Sequence, residues 1–374
     1  MAALAATVRH GSLTRAARAV NLTQSALTQA IMRLERDLGC ALFDRSSSGM
    51  TPTEAALLLA PRAEAAISRI GSPRVTGTQL RAFLSVARAG SFAGAAEATG
   101  LSTASLHRAV ADLSLALGQR LIERRGRQLI LTIAGRRRQR DFGVALAELR
   151  SGFDEVATWQ GKTAGRIVVG AMPLCRAGWL PSVLLRFVEQ YPGIDVSIVE
   201  GSFAEMVGSL RDGEIDLLLG ALRDSAGLED LEQQWMFDDL PKLVMRDGHP
   251  LCGVEKPRGA DIIAYPWILP QVETPLRRYW AAMLRTAGEE PPHVAIECGS
   301  MLTTRQFLLQ SDAISLLSPA QLAVEVDAGL LVTIEPPVPI VRAIGVTTRN
   351  GWRPTEAQTH FLALLATQAD DYKS

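Results

Sequence analysis

Apolar positions in the first third of the chain fall in helical steps, and they do so twice. Leu27, Ile31, Leu34 and Leu38 recur at intervals of four, three and four, one face of an amphipathic helix. Leu106, Val110, Leu113 and Leu117 repeat the stripe 79 residues later. At that shift residues 1–56 align with 80–135 without a gap, and 17 of the 56 pairs are identical. Gly11-Ser12 returns as Gly90-Ser91, Ala16-Ala17 as Ala95-Ala96, Leu22 as Leu101, and Leu38-Gly39 as Leu117-Gly118. Two copies of this length make a duplicated small domain, not a solenoid.

Each copy predicts two short helices, a tight turn and a longer helix. Residues 13–20 are alanine-rich, Asn21-Leu22 make the turn, and Thr23 stands where an N-cap belongs, as Ser102 does in the second copy. Gly39 and Gly118 fall just past the last apolar position, where a left-handed residue ends a helix. Such a helix pair is compatible with a plain packing unit. It is also the layout of a helix-turn-helix, whose second helix enters the DNA major groove with its N-terminal residues at the base edges. Those residues are Thr23, Gln24, Ser25, Thr28 and Gln29, then Ser102, Thr103, Ser105, His107 and Arg108. They lie off the apolar stripe and are hydrogen-bonding types, where a merely solvated face would carry more Glu and Lys. Gln can pair bidentately with adenine and Arg with guanine.

Charge favours the DNA reading. Residues 1–140 hold 20 Arg, no Lys and 8 acidic residues, a net +12, and the remaining 234 residues carry −12, so the neutral whole hides two opposed halves. Much of the excess follows the second long helix, at Arg120, Arg124, Arg125, Arg127, Arg136, Arg137, Arg138 and Arg140. There a wing and flanking helix would meet phosphates. The copies are unequal: residues 1–75 carry +4 and 76–140 carry +8.

After the first copy, residues 53–70 have helical character but contain Pro61, which is expected to kink or end the helix. The organisation expected is a first module at 1–70, a connector at 71–78, a second module at 79–135, a linker helix at 134–160 and a C-terminal domain at 165–370. On the linker helix Phe142, Leu146, Leu149, Phe153 and Val156 alternate four- and three-residue steps. That is a coiled-coil seam barely two heptads long, or an amphipathic helix packed on its own domain.

From Gly165 onward short apolar runs alternate with helical stretches. Residues 166–172, 195–199 and 215–219 predict strands, with helices at 179–190 and 204–211. This βαβ pattern implies a mainly parallel sheet covered on both faces. A second set follows, with strands at 243–245, 267–269, 295–297, 313–317 and 342–348 and helices at 275–287, 301–309, 319–328 and 355–367. About 210 residues suit two α/β subdomains better than one sheet.

The run Gly11-Ser12-Leu13-Thr14-x-Ala16-Ala17, with Leu22 through Ile31, resembles the winged helix of LysR-type transcriptional regulators. So does its continuation, Leu34-Glu35-x-x-Leu38-Gly39-x-x-Leu42-Phe43-x-Arg45 and Thr51-Pro52-Thr53-Glu54-Ala55. The second copy departs at Ser114, where the family has Glu, at Ile122, where it has Phe, and at Leu106-His107-Arg108-Ala109. Gly165-Arg166-Ile167-x-Val169-Gly170, Leu210-x-x-Gly213-x-Ile215-Asp216-Leu217 and His249-Pro250-Leu251 resemble the family's effector-binding domain. Further runs, among them Gly220-Ala221-Leu222-Arg223 and Glu297-Cys298-Gly299-Ser300, look most like the branch of galactose-binding-protein and protocatechuate-pathway regulators. The resemblance implies an α-helical N-terminal tandem of winged helix-turn-helix domains, with Arg45 on the first wing. It also implies an α/β domain of two periplasmic-binding-protein-like subdomains with a ligand cleft between them, a dimerising linker helix, and a homodimer or homotetramer.

A cleft ligand would meet strand C-termini and helix N-termini, where backbone N–H groups favour anions or polar oxygens. That singles out Met172, Pro173, Ser202, Thr274 and Ser300. Each hydroxyl among them is equally read as a helix N-cap. Met172-Pro173-Leu174-Cys175 offers fewer hydroxyls than the family usually has there, which argues against simple carboxylate binding. A sugar or an organic acid fits the family.

Two rival classes are weaker. A cysteine enzyme would need Cys175 activated at a helix start, and no paired base is legible. The spacing of Cys40, Cys175, Cys252 and Cys298, and of five histidines, predicts no metal site, and no Walker or dinucleotide glycine pattern predicts a cofactor. An exported solute-binding protein would need a signal sequence that the N-terminal residues lack, and no run is apolar enough for a membrane span. The expectation is a cytoplasmic regulator that binds double-stranded promoter DNA and a small-molecule effector. The alternative is a first module that has become a protein-interaction domain.

Overall fold

The computed structural model describes residues 1–46, 49–126 and 128–372. The first module comprises α1 (Ala2–His10), α2 (Leu13–Ala19), α3 (Gln24–Leu38), a hairpin of β1 (Phe43–Ser46) and β2 (Gly49–Pro52), and α4 (Glu54–Ile70). The second repeats it as α5 (Gly77–Ala89), α6 (Phe92–Thr99), α7 (Thr103–Leu117), β3 (Ile122–Arg125), β4 (Gln128–Leu131) and α8 (Ile133–Trp159). The repeat extends to capping atoms. Thr23 Oγ1 accepts from the Ala26 N–H at 3.2 Å, and Ser102 Oγ accepts from the Ser105 N–H at 3.2 Å. The turn before each long helix needs a left-handed residue, supplied by Asn21 (φ 54°) in one copy and Gly100 (φ 69°) in the other. Each wing is closed by the same threonine: Thr53 donates to the Ala41 carbonyl at 2.9 Å, and Thr132 to that of Arg120 at 2.7 Å.

Pro61 does not interrupt its helix. It lies inside α4, which runs unbroken from Glu54 to Ile70. Pro61 and Leu57, four residues earlier, are both solvent-exposed, so water can reach the carbonyl left without its N–H. The opposite face is buried through Ala55, Ala56, Leu59, Ala60, Ala63 and Ala66, and that packing offsets a proline penalty of about 3 kcal/mol.

The buried face meets α8, the most extensive helix pair among the described residues. Gly152 makes the approach close: a Cβ there would lie 2.8 Å from Leu59 Cδ1 and 3.0 Å from Arg62 Cβ. Arg62, only 5% exposed, donates to Glu155 at 2.5 and 3.3 Å, to Glu148 at 3.1 Å and to the Arg353 carbonyl at 2.9 Å. Burial works against its charge, but the hydrogen bonds and charges of Glu155 and Glu148 outweigh it and hold the guanidinium above its ordinary pKa.

The apolar seam of α8 is therefore engaged inside the chain. Phe142, fully buried, joins the second module's core, edge-on to Phe83 at 6.0 Å, and Val156 joins the first module's core. Leu146 packs partly on the second core, Leu149 is half-buried and Phe153 is exposed. At Phe142 and Val156 the structure departs from the dimer-seam expectation, because two modules of one chain flank the helix and bury both; Leu149 and Phe153 keep exposed surface.

The C-terminal domain begins with β5 (Gly165–Ala171), α9 (Trp179–Gln190), β6 (Ile194–Glu200), α10 (Phe203–Arg211), β7 (Leu217–Ala221) and β8 (Leu231–Asp239). The chain then crosses into a second subdomain of β9 (Lys242–Arg246), α11 (Gly259–Ile263), β10 (Ile268–Leu269), α12 (Pro275–Thr286), β11 (Ile296–Glu297), α13 (Met301–Gln310), β12 (Ser315–Leu317), α14 (Ala323–Asp327) and β13 (Leu331–Ile334). It returns as β14 (Arg342–Arg349) and ends in α15 (Glu356–Ala369). The first sheet has the order β6-β5-β7-β14-β8, and only the β5 pairings are parallel. The expected mainly parallel sheet is thus mixed, because β14 arrives from the far subdomain and runs antiparallel between β7 and β8. In the second, β12-β9-β13 is antiparallel and β10-β11 parallel.

Removing Arg62 leaves buried Glu148 and half-buried Glu155 without their shared cation. Arg62→Ala is expected to lower stability by about 3–5 kcal/mol, read as a fall in denaturation midpoint, and Arg62→Lys to recover only part of it. A second prediction concerns Asp154 on α8, whose carboxyl burial pushes up to about 6, opposed by Arg150 and the Arg166 backbone N–H. Its contribution to stability is complete below the ordinary value of 3.8 and is lost as pH rises through about 6. Asp154→Asn is therefore expected to match the wild-type melting temperature in acid and exceed it at neutral pH. A difference that does not grow with pH refutes this.

Candidate nucleic-acid interface and ligand cleft

The N-terminal half of α3 presents Thr23, Gln24, Ser25 and Gln29 to solvent, and that of α7 presents Ser102, Thr103, Ser105, His107 and Arg108. These side chains are not equally available. The hydroxyls of Thr23 and Ser102 cap their helices, and the Ser102 and Ser105 hydroxyls lie 2.8 Å apart. Thr28 is half-buried and donates to the Gln24 carbonyl at 2.9 Å. Its counterpart, His107, stacks on Phe92 with ring centroids 3.6 Å apart. Both copies therefore give this side chain a partner within its own module, while His107 stays exposed. The next pair, Gln29 and Arg108, points outward in both, as do Gln24 and Thr103.

Arg124 and Arg125 are exposed on the second hairpin, and Arg137 is exposed at the start of α8. Arg136 donates to the Leu131 carbonyl and Arg138 to Gln119, so these two also brace the module. Arg127 and the side chain of Arg45 lie outside the described residues.

Between the two C-terminal subdomains lies a cleft of about 310 Å³, lined largely by apolar side chains. Met172, Pro173, Ser202 and Thr274 line it; Ser300 does not, although its neighbours Gly299 and Met301 do. The three hydroxyls are engaged in N-caps. Ser202 forms a capping box with Glu205, Thr274 accepts from the Arg277 N–H and donates to the Gln271 carbonyl, and Ser300 accepts from the Thr303 N–H.

The polar groups of this cleft that sequence reasoning missed are arginines. Arg342, 7% exposed, begins β14 and pairs through Nε with Asp239 at 2.5 Å, while its Nη2 has no hydrogen-bond partner among the described residues. Arg223 follows β7, sits over the Phe203 ring at 4.5 Å, and has a buried Nε that is likewise unpartnered. Burial, and then the charge of Arg278, lower its pKa from the ordinary arginine value. Arg176 lies at the cleft too, paired with Glu200. The signal was present for Arg223, which ends a glycine-containing strand run. Arg342 escaped because a parallel reading looks for ligand groups at strand C-termini. Antiparallel β14 brings its first residue to the same edge.

Cys175 is fully buried in a short turn of 3₁₀ helix, and burial pushes its thiol pKa far up, away from an activated thiolate. Among the described residues no group of three metal-binding side chains converges.

A model of the LysR substrate binding domain matches residues 160–370, and one of the bacterial regulatory helix-turn-helix protein, lysR family, matches twice, over 1–57 and 78–136. The transcriptional regulator GalR of Pseudomonas putida is 30% identical over 376 residues, covering 95% of this chain and 93% of its own, so the similarity runs through both modules. The regulator PcaQ of Agrobacterium fabrum is 28% identical over 258 residues, 69% of this chain and 83% of its own. A full-length variant of OxyR from Pseudomonas aeruginosa shares the fold at a TM-score of 0.58 and 21% identity, covering 79% of this chain and 94% of that one. The fifth of this chain left over is about the length of one winged module.

Thiol alkylation of the native protein, mapped by mass spectrometry, is expected to modify half-buried Cys298 at the cleft and leave Cys175 untouched until the chain unfolds. Rapid labelling of native Cys175 would contradict its burial.

Proposed function

Because this chain belongs to the LysR family of bacterial transcriptional regulators, we propose that its two winged modules read one composite promoter site in cis, under control of a ligand in the interdomain cleft. The observation that carries this reading is the pairing of α4 with α8. Each is the helix that follows a wing, and together they make one packed unit from a single chain. The pairing expected between protomers is made here between the two copies. One chain then offers two recognition helices on a common support, with Gln24 and Gln29 on one and Thr103 and Arg108 on the other. Assembly into a homodimer or homotetramer uses surfaces other than the buried positions of α8. The protein acts in the cytoplasm, where promoter DNA lies. Among the described residues no helix is long and apolar enough to cross a membrane.

The pairs differ chemically. Gln suits adenine and Arg suits guanine, so the two halves of the site are expected to differ in sequence. The lower charge of the first module favours a second reading, in which it binds a protein and only the second reads DNA.

Footprinting on DNA flanking the protein's own gene separates these. Gln24→Ala/Gln29→Ala is expected to lose one segment of the footprint and Thr103→Ala/Arg108→Ala the other, each weakening binding by about 10–100-fold. One chain per composite site is the expected stoichiometry. Loss through the second pair alone would favour the protein-binding first module, and a footprint indifferent to both would overturn the assignment of the recognition helices.

A further inference from the structure

We propose that Phe92 and His107 act as a pair that gives the second winged module a base contact the first module lacks. The Phe92 ring sets the imidazole edge-on to the major groove, and the imidazole N–H selects guanine. This deepens the reading of α7 as a recognition helix and rests on it.

Three observations converge. The His107 and Phe92 rings are stacked, with centroids 3.6 Å apart and planes within 18° of each other, which fixes the plane of the imidazole. Phe92 is itself held in place. It opens α6 behind the Ser91 cap, whose Oγ accepts from the Gly94 N–H at 3.0 Å, and it packs against the second module's core. Second, His107 is exposed, and among the described residues neither ring nitrogen has a hydrogen-bond partner. A histidine that only braced its module would use a ring nitrogen there, as His249 does with the Leu251 N–H at 3.1 Å. Third, Thr103 and His107 are four residues apart on α7, so they share a helix face, with Arg108 next to it. That is the face assigned to base edges through Thr103 and Arg108.

The first module cannot make this contact. Thr28, at the matching position, is half-buried, and its hydroxyl donates back to the Gln24 carbonyl at 2.9 Å. Leu13, where the second copy has Phe92, offers no ring to stack on. The first module thus reads with Gln24 and Gln29, the second with Thr103, His107 and Arg108. An imidazole N–H needs an acceptor. Guanine offers two in the major groove, O6 and N7, whereas adenine sets a donor beside its N7. A ring already held in one plane gives up little rotamer freedom on contact, so the contact can discriminate even from an exposed position.

The test uses the full-length protein and selection of bound duplexes from a randomised pool, each variant compared with the wild type. His107→Thr and Phe92→Leu install the first module's own residues, and Phe92→Tyr keeps the ring. His107→Thr is expected to lower the preference for guanine at one base pair of the second half-site by about 10-fold, leaving other positions unchanged. Phe92→Leu is expected to weaken the same preference at the same base pair by about 3–10-fold, and Phe92→Tyr to retain it. Binding to a non-specific duplex, read by gel shift at matched salt, is expected to stay constant in all three. A base preference indifferent to His107→Thr would overturn the proposal. So would a Phe92→Leu loss spread over all positions and shared by non-specific binding, which marks a merely structural role. Arg108→Ala, run in parallel, tests the underlying reading. If it changes base preference while His107→Thr does not, only the pair fails. If neither changes it, or the wild type selects no sequence, the assignment of α7 as a recognition helix fails too.

Discussion

Burying one guanidinium at a three-way junction is the constraint on which this architecture depends. Arg62 belongs to the first module, its carboxylate partners Glu148 and Glu155 to α8, and its carbonyl partner Arg353 to the C-terminal domain. A charge removed from water requires its partners in place, so three separately folded regions must meet in one geometry. Glu148 tightens the requirement, because it also accepts from the Arg353 side chain at 2.7 Å. The close approach of α4 and α8 is possible because the facing positions are small, with alanines on one helix and Gly152 on the other. Bulky residues there would separate the helices and leave the guanidinium without one partner or the other.

The same junction lies at the end of a direct structural path from the cleft. Strand β14 starts at Arg342, whose guanidinium borders the cleft, and ends at Arg349. Arg349 is anchored by hydrogen bonds to the carbonyls of Leu210 and Ile215 at 2.8 and 2.6 Å. Four residues further on, Arg353 touches both Arg62 and Glu148. Along this path β14 pairs with β8 from Arg342 to Arg349, with a register shift between Ile344 and Gly345, and with β7 from Ile344 to Thr347. Cleft and winged modules are thus connected through one strand with a buried arginine at each end. α8 contributes a second contact with the sensor: a Cβ on Gly143 would meet the Asp212 carbonyl at 2.0 Å, and Gln139 bonds the Asp212 side chain.

What was legible in the sequence was whatever local pattern decides. The duplicated stripes, the Thr23 and Ser102 caps, the Gly39 and Gly118 termini and the helix at 179–190 follow from short-range spacing, and the structure contains them. What was not legible depends on which elements meet. Pro61 reads as a break until the packing of the opposite face on α8 is known. The Phe142–Val156 stripe reads as a dimer seam because periodicity says that a face is buried, not by what. Strand β8, Leu-Glu-Gln-Gln-Trp-Met-Phe-Asp-Asp, escapes a pattern reading because it is an edge strand with few consecutive apolar residues. Arg342 was invisible for a related reason, since strand direction decides which end of β14 borders the cleft.

Duplication within one chain also explains why the two recognition helices could diverge. Where identical protomers pair, both recognition helices have one sequence, and a site read by the pair favours matching halves. Here positions 28 and 29 of the first copy correspond to 107 and 108 of the second, and Thr-Gln has become His-Arg. The member engaged within its own module changed together with its support: Phe92, on which His107 stacks, stands where the first copy has Leu13. The outward member changed the hydrogen-bonding group presented to solvent. In the proposed reading of one composite site in cis, the packing of α4 on α8 places the second contact at high effective concentration without a flexible linker to order. A weak first half-site is then tolerated, which fits a first module with half the net charge of the second.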